Sequence, residues 1–121
     1  MNPKLSIGTW AFAFGPFASN PWSLTDILQY ARDAGYDGIE INGFAPHPTP
    51  HSHATEESRK QLREEIASYG LGISGYAPDF TAVPPHLVPQ DEYLAVLKPY
   101  IAFSSDLGIA NIRVDTVSPP A

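Results

Sequence analysis

Residues 33–41, Asp-Ala-Gly-Tyr-Asp-Gly-Ile-Glu-Ile, end an amphipathic segment at a glycine and continue at once into an apolar, β-rich run. The same pattern returns as Ser-Tyr-Gly-Leu-Gly-Ile-Ser at 68–74 and as Asp-Leu-Gly-Ile-Ala-Asn-Ile-Arg-Val at 106–114. The central glycines, at 35, 70 and 108, lie 35 and then 38 residues apart. A glycine just past a helix adopts the left-handed conformation that ends the helix without a Cβ clash. The repeat therefore predicts units in which each helix is followed by a strand of a parallel sheet.

Outward from these glycines, the hydrophobic pattern predicts three helices that alternate with four strands. Ser23 and Thr55 are candidate N-caps of the first two helices, and the third begins near Asp91. Pro99 lies inside the third helical pattern, so we expect it to kink or divide that helix. The strands are expected at 5–9, 38–42, 71–76 and 109–115. A β-α-β-α-β-α-β order predicts a right-handed, all-parallel sheet.

The expected fold class is α/β, a parallel (β/α) half-barrel of four strands and three helices in one domain over residues 1–121. A closed barrel of eight such units needs about 250 residues, so the chain holds about half of one. A buried parallel strand normally needs helices to cover it, and no helix follows the last strand. We therefore expect the domain to be incomplete at its C-terminus. The functional end of such a sheet is the rim formed by the carboxyl ends of its strands.

Composition excludes several classes of function. The net charge is −6 and the isoelectric point is near 4.9, which argues against binding to nucleic acid or to anionic membranes. The chain has no cysteine, so disulfides, thiolate catalysis and Cys-bound zinc are ruled out. Neither a signal peptide nor an apolar run of about 18 residues is readable, which favours a cytoplasmic location.

Several stretches resemble the xylose isomerase-like TIM barrels. Leu-Ser-Ile-Gly-Thr-Trp at 5–10 is similar to the first strand of that superfamily, and residues 31–41 match its most typical stretch. Residues 62–74 and 100–114 resemble its next two helix–strand units. The superfamily includes sugar-phosphate isomerases and epimerases, inosose and dehydroshikimate dehydratases, and abasic-site endonucleases. The endonucleases tend to carry histidines where this chain has Asn42 and Tyr76, so DNA repair is not expected.

The resemblance implies a sugar or sugar-phosphate isomerase or epimerase that depends on a divalent metal such as Mn, Mg, Zn or Co. In that family, the metal ligands and the acid/base glutamates lie on later strands, so this chain is expected to hold no metal ligand and no catalytic residue. Whether the chain is an enzyme stays open. The implied partners are a small sugar or sugar phosphate and either a second copy or a complementary C-terminal half. The alternatives are a non-catalytic carbohydrate-binding or assembly module, and a truncated gene product.

Five side chains are predicted to contact substrate: Trp10, Glu40, His53, Tyr76 and Arg113. Trp10 follows the first strand, where an aromatic wall can stack on a sugar ring. Glu40 and Arg113 lie on strands two and four, and a structural ion pair between them is the alternative. Tyr76 ends strand three, where a turn formed by Pro78 and Asp79 is the competing explanation for the local sequence.

Two further groups of residues each allow a functional and a structural interpretation. His47, His51 and His53 share one proline-rich loop, which predicts either metal binding or a solvated loop, with His53 as a possible substrate contact. Aromatic residues crowd the loop after the first strand, and its phenylalanines are expected to pack while Trp10 forms a pocket wall. His86 is expected to be an ordinary loop residue.

Overall fold

Three parallel strands form one sheet in a computed structural model that describes residues 2–115. The strands are β1 (Ser6–Gly8), β2 (Gly38–Gly43) and β3 (Gly72–Pro78), and they lie in the order β1-β2-β3. The helices are α1 (Leu24–Asp33), α2 (Glu56–Ser68) and α3 (Gln90–Asp106). The predicted parallel α/β architecture with three helices is confirmed. No helix of the described residues combines the length and hydropathy needed to cross a bilayer.

Local sequence explains where the first two helices begin. The Ser23 hydroxyl accepts a hydrogen bond from the Asp26 N–H at 3.1 Å, as the N-cap of α1. Thr55 and Ser58 exchange reciprocal bonds that cap α2. The third helix, α3, has no side-chain cap and runs unbroken through Pro99. Of the two outcomes expected of Pro99, division of the helix is therefore wrong, and a kink stays a prediction.

The three repeated glycines end the helices as predicted. Gly35, Gly70 and Gly108 have φ values of +86°, +72° and +70°. An L-residue with a Cβ rarely adopts this left-handed conformation, whereas glycine does so at little cost. Each glycine turns the chain from a helix towards the sheet.

The hydrophobic core lies between the helices and one face of the sheet. Ile39 and Ile41 of β2 are fully buried on that face, and Tyr76 of β3 and Phe103 of α3 pack with them. Side chains alternate along a strand, so Glu40 and Asn42 of β2 point to the opposite face. That opposite face, which would line the interior of a closed barrel, carries polar side chains.

The predicted fourth strand, at 109–115, does not form. Only one bridge pairs this segment with β3: Tyr76 donates its N–H to the Asn111 carbonyl at 3.0 Å and accepts from the Arg113 N–H at 2.9 Å. The next bond of a parallel ladder would need an N–H at Pro78, which proline lacks. Towards the other end, the Asn111 side-chain amide donates to the Ser74 carbonyl at 3.3 Å. Pairing therefore stops on both sides of the bridge.

Candidate functional site

A cleft of about 810 Å³ opens at the carboxyl ends of the strands. Its walls come from the ends of β1, β2 and β3, from the proline-rich loop before α3, and from the segment after the bridge. They are mostly aromatic, prolyl and aliphatic: Trp10, Phe14, Phe44, Ala77, Pro78, Phe80, Pro84, Pro85 and Leu87. Its polar lining comprises Asn42, Asp79, Thr81, His86, Arg113 and Asp115. An apolar cleft with a few convergent polar groups at this rim is the usual form of a ligand site in a parallel sheet.

An ion pair between Glu40 and Arg113 crosses β3 at the edge of this cleft. Arg113 Nη1 donates to Glu40 Oε1 at 3.0 Å. Gly75 lies between the two partners in the sheet, and a Cβ built on it would stand 3.8 Å from Glu40 Oε2. The side chains of Arg113 and Glu40 are 46% and 26% exposed, so both are partly accessible to solvent.

Trp10 lies over the end of β1, on the cleft side. Its indole covers Gly8 so closely that a Cβ on Gly8 would overlap Nε1 and approach Cδ1 to 2.6 Å. The Asn42 side chain fixes the backbone at this point, because Oδ1 accepts the Trp10 N–H at 3.1 Å. The Asn42 N–H in turn donates to Thr9 Oγ1 at 3.0 Å. Nearly half of the Trp10 surface (45%) is exposed, which leaves an aromatic face available to a ligand.

Two carboxylates complete the polar part of the cleft. Asp79 Oδ1 accepts from Thr81 N–H at 2.9 Å and from Thr81 Oγ1 at 2.7 Å, which closes the turn after β3. Asp115 Oδ1 lies 3.7 Å from Arg113 Nε. The turn proposed for Asp79 is therefore formed, and the same residue lines the cleft.

Tyr76 lies in the core, under the cleft. Its side chain is fully buried, and its hydroxyl donates to the Pro48 carbonyl at 2.8 Å. Burial raises the pKa of the Tyr76 phenol far above its ordinary value, with smaller contributions from Tyr100 and Asp79. A substrate contact through this hydroxyl, as predicted from sequence, would require the bond to Pro48 to break.

The three histidines of the 43–54 loop do not converge. His47 is buried, with Nε2 lying 3.3 Å from the Trp22 carbonyl oxygen and Nδ1 without a hydrogen-bond partner. Burial lowers the pKa of this imidazole. His51 is exposed, and His53, whose Nδ1 lies 2.8 Å from Ser52 Oγ, is outside the cleft. Substrate contact by His53 stays a prediction.

The described residues do not fit a metal site. Within 2–115, no group of three or more His, Asp and Glu side chains is placed to hold a metal ion. The possible metal site of the histidine loop therefore has no geometric support.

The fold is similar to that of a solved enzyme. The structure of the probable 3-DHS dehydratase AsbF from Bacillus anthracis, involved in petrobactin synthesis, matches with a TM-score of 0.66 and 20% sequence identity. That enzyme is a xylose isomerase-like TIM barrel. The described residues share part of this fold. The match covers 92% of this chain and 37% of that chain, so the chain spans little more than a third of the enzyme's length. No protein-family model and no curated protein matches this chain.

Some cleft residues were not anticipated from sequence. Phe14 packs against Phe44, with ring centroids 5.2 Å apart, but it is also 57% exposed and lines the cleft, which was not expected. Phe12, Phe17 and Trp22 do pack, in one aromatic cluster with Tyr30. Asn42 follows Glu40 by two residues on β2, and this spacing places both on one face, a signal that could have identified it. His86 and Leu87 line the cleft from a loop with no such periodicity.

Proposed function

We propose that this chain forms the substrate-facing part of a sugar isomerase- or epimerase-like barrel, and that its cleft binds a polyhydroxylated small molecule. The observation that carries the proposal is the position of the Glu40–Arg113 pair. It borders a cleft at the carboxyl ends of parallel strands, beside the exposed indole of Trp10. Enzymes with this architecture bind their substrates at this rim.

Each side chain has a definite role in such binding. The Trp10 face stacks on the C–H face of a sugar ring. Glu40 accepts hydrogen bonds from substrate hydroxyls, and Arg113 donates to hydroxyl or carbonyl oxygens through the N–H groups that Glu40 leaves free. These residues orient the substrate, and the groups that transfer protons would come from later strands of the barrel.

The metal ion that the family resemblance implies, Mn, Mg, Zn or Co, would likewise be held outside residues 2–115. The isolated chain is therefore expected to bind substrate without turning it over. An assay of ketose isomerisation with each of these metals tests this. Turnover that EDTA abolishes and that Glu40→Gln or Arg113→Gln reduces would contradict the assignment of roles.

The missing part of the barrel would come from a second copy or from a separate C-terminal half. Among the described residues, β1 pairs only with β2, and the 111–113 segment pairs with β3 alone. Both edges carry backbone groups that another strand can pair with. Sedimentation velocity at micromolar concentration should give a dimer for the isolated chain if two copies complete the barrel. A stable monomer would contradict completion of the barrel by a second copy.

Isothermal titration with sugars and sugar phosphates, with and without Mn²⁺, tests binding directly. Heat of binding that disappears in Arg113→Gln and persists in Arg32→Gln supports the cleft. Arg32 is a suitable control because it does not line the cleft: it pairs with the adjacent Asp33, and its guanidinium lies 5.2 Å from the centroid of the Tyr69 ring. Binding without turnover in any barrel assembly would favour the alternative, a non-catalytic carbohydrate-binding or assembly module. No binding of any ligand would contradict both.

A further inference from the structure

The charges around the cleft are predominantly negative. Asp79 and Asp115 line it, and Glu40 touches the single cationic side chain that lines it within residues 2–115, Arg113. Three carboxylates against one guanidinium leave two negative charges at this site. A doubly charged phosphate brought into the cleft would meet net repulsion, whereas an uncharged ligand would not.

Arg113 is also poorly placed to hold an anion with two parallel hydrogen bonds. Its Nη1 donates to Glu40 Oε1 at 3.0 Å, and its Nε lies 3.7 Å from Asp115 Oδ1. A guanidinium offers two edges for bidentate binding, one formed by Nε and an Nη, the other by both Nη atoms. Each edge therefore includes a nitrogen that already faces a carboxylate. A phosphate would have to displace a carboxylate or bind through one nitrogen.

The N-termini of the three α-helices within residues 2–115 offer no alternative phosphate site. In βα units the helices begin near the carboxyl ends of the strands, where their positive dipole ends can bind phosphate. Here all three first turns already carry carboxylates: Asp26 in α1, Glu56 and Glu57 in α2, and Asp91 and Glu92 in α3. These side chains neutralise the dipole and repel a second anion.

The remaining features of the cleft suit a neutral polyol. Carboxylates are pure acceptors, and hydroxyl groups are donors that can satisfy them without adding charge. Trp10 and Phe14, 45% and 57% exposed, offer aromatic faces to the C–H side of a ring. We propose that this cleft selects an uncharged polyol, a free sugar or a cyclitol, over its phosphorylated counterpart. This inference rests on the proposed function and narrows its substrate class.

Trp10 supplies a local reporter for the test. The chain contains two tryptophans, and Trp22 lies in the aromatic cluster with Phe12 and Tyr30, outside the cleft lining. In a Trp22→Phe variant, tryptophan emission reports only from the cleft. In a Trp10→Phe variant, emission reports only from the cluster and serves as the control for non-specific quenching.

The Trp22→Phe protein is titrated with fructose and fructose monophosphate, and with myo-inositol and inositol monophosphate, at low and high salt. We expect each neutral ligand to bind at least about tenfold more tightly than its monophosphate at low salt. The difference should shrink at high salt, because salt screens repulsion of the phosphate and does not affect a neutral ligand.

Charge removal gives the second part of the test. Glu40→Gln frees Nη1 of Arg113 and removes one negative charge, so affinity for the monophosphates should rise about tenfold relative to the neutral ligands. Asp115→Asn should act in the same direction, and its side chain is 73% exposed, so folding is not at risk. Glu64→Gln is the matched control, since Glu64 pairs with Lys60 on α2, does not line the cleft and should leave the preference unchanged.

Three outcomes overturn the inference, and they distinguish its failure from that of the proposed function. Tighter binding of the monophosphates, or a preference that neither Glu40→Gln nor Asp115→Asn changes, would overturn the selection for neutral ligands and leave the proposed function intact. Absence of any Trp10 response, together with no heat of binding for any ligand, would overturn the proposed function and this inference with it.

Discussion

Glu40 and Arg113 meet above Gly75, with 3.0 Å between Oε1 and Nη1, although a strand separates the two residues in the sheet. A second contact of this kind lies on the same face, nearer the amino-terminal end of β2. Ser6 Oγ and Ser74 Oγ are 2.6 Å apart, and Gly38, which pairs with Ser6, leaves the space between β1 and β3 free of a side chain. Glycines on the inner face thus let polar side chains from non-adjacent segments meet.

Replacing Arg113 should impair binding far more than stability. Both partners of its ion pair are partly exposed, and such pairs contribute about 1 kcal/mol or less. We expect Arg113→Gln to lower the free energy of unfolding by less than about 1 kcal/mol. Urea denaturation measures this. Arg32→Gln should lower the free energy of unfolding by a similarly small amount. If Arg113→Gln loses ligand binding and Arg32→Gln keeps it, Arg113 has a binding role and not a structural one.

A methyl group at Gly43 should destabilise the fold. A Cβ there would stand 2.8 Å from Tyr76 Oη and 3.2 Å from both Asp79 N and Pro78 Cα. Crowding of this kind in a packed site costs about 1–3 kcal/mol. Gly72→Ala is the control in the same sheet, because the nearest atom, Asp37 O, is 3.8 Å away. Equal stability of the two variants in urea would contradict the packing described around Tyr76.

The buried hydroxyl of Tyr76 should contribute to stability. Tyr76→Phe leaves the Pro48 carbonyl without its donor, which costs about 1–2 kcal/mol. Tyr30→Phe is the control, since Tyr30 is 44% exposed. Thermal denaturation of both variants at neutral pH makes the comparison.

The same residue should make the protein sensitive to alkali. Burial raises the pKa of Tyr76, and that of Tyr100 is raised as well, while an unfolded tyrosine ionises near pH 10. The unfolded chain therefore loses these protons first. The stability that these two tyrosines contribute is therefore fully present below about pH 10, and it is lost as the pH rises above that value. Tyr76→Phe should show a shallower fall, and an unchanged slope would contradict the assignment.

Acid should weaken the loop that carries His47. Burial lowers the pKa of this imidazole, although its contact with the Trp22 carbonyl acts in the opposite direction. An unfolded histidine takes up its proton near pH 6.5. The stability that neutral His47 contributes is therefore fully present above that pH and is lost as the pH falls below it. His47→Gln should remove up to about 1.4 kcal/mol per pH unit of this slope. His51→Gln, at an exposed position in the same loop, is the control, and urea midpoints from pH 7 to pH 5 give the comparison.

The helices and the central strands could be predicted because their signals are local. Ser23, Thr55 and the glycines at 35, 70 and 108 act on the residues beside them, so the sequence places the helix ends within about a residue. The fourth strand could not be placed in this way. Apolar and polar residues do alternate along 112–115. However, Pro78 on the neighbouring strand lacks the N–H that pairing requires. A local pattern cannot show which partner a strand will meet.

The candidate site likewise contains residues that local sequence rules predicted and residues that only tertiary contacts explain. Trp10, Glu40 and Arg113 follow from the rule that strand ends form the rim, and the structure brings them to one cleft edge. Tyr76 obeys the same rule, yet the partner that decides its role is the Pro48 carbonyl, 28 residues away. Leu87 and His86 reach the cleft through a loop whose path no periodicity encodes.

The sequence by itself determined the order of helices and strands, their parallel direction and the acidic character of the chain. Those properties depend on neighbouring residues and on composition. Only the tertiary structure decided that Glu40 crosses Gly75 to reach Arg113, and that the Tyr76 hydroxyl donates its hydrogen bond to the Pro48 carbonyl. It also decided that the Arg113 guanidinium already faces carboxylates on two sides. These relationships join residues that are far apart along the chain, and packing in three dimensions sets their distances.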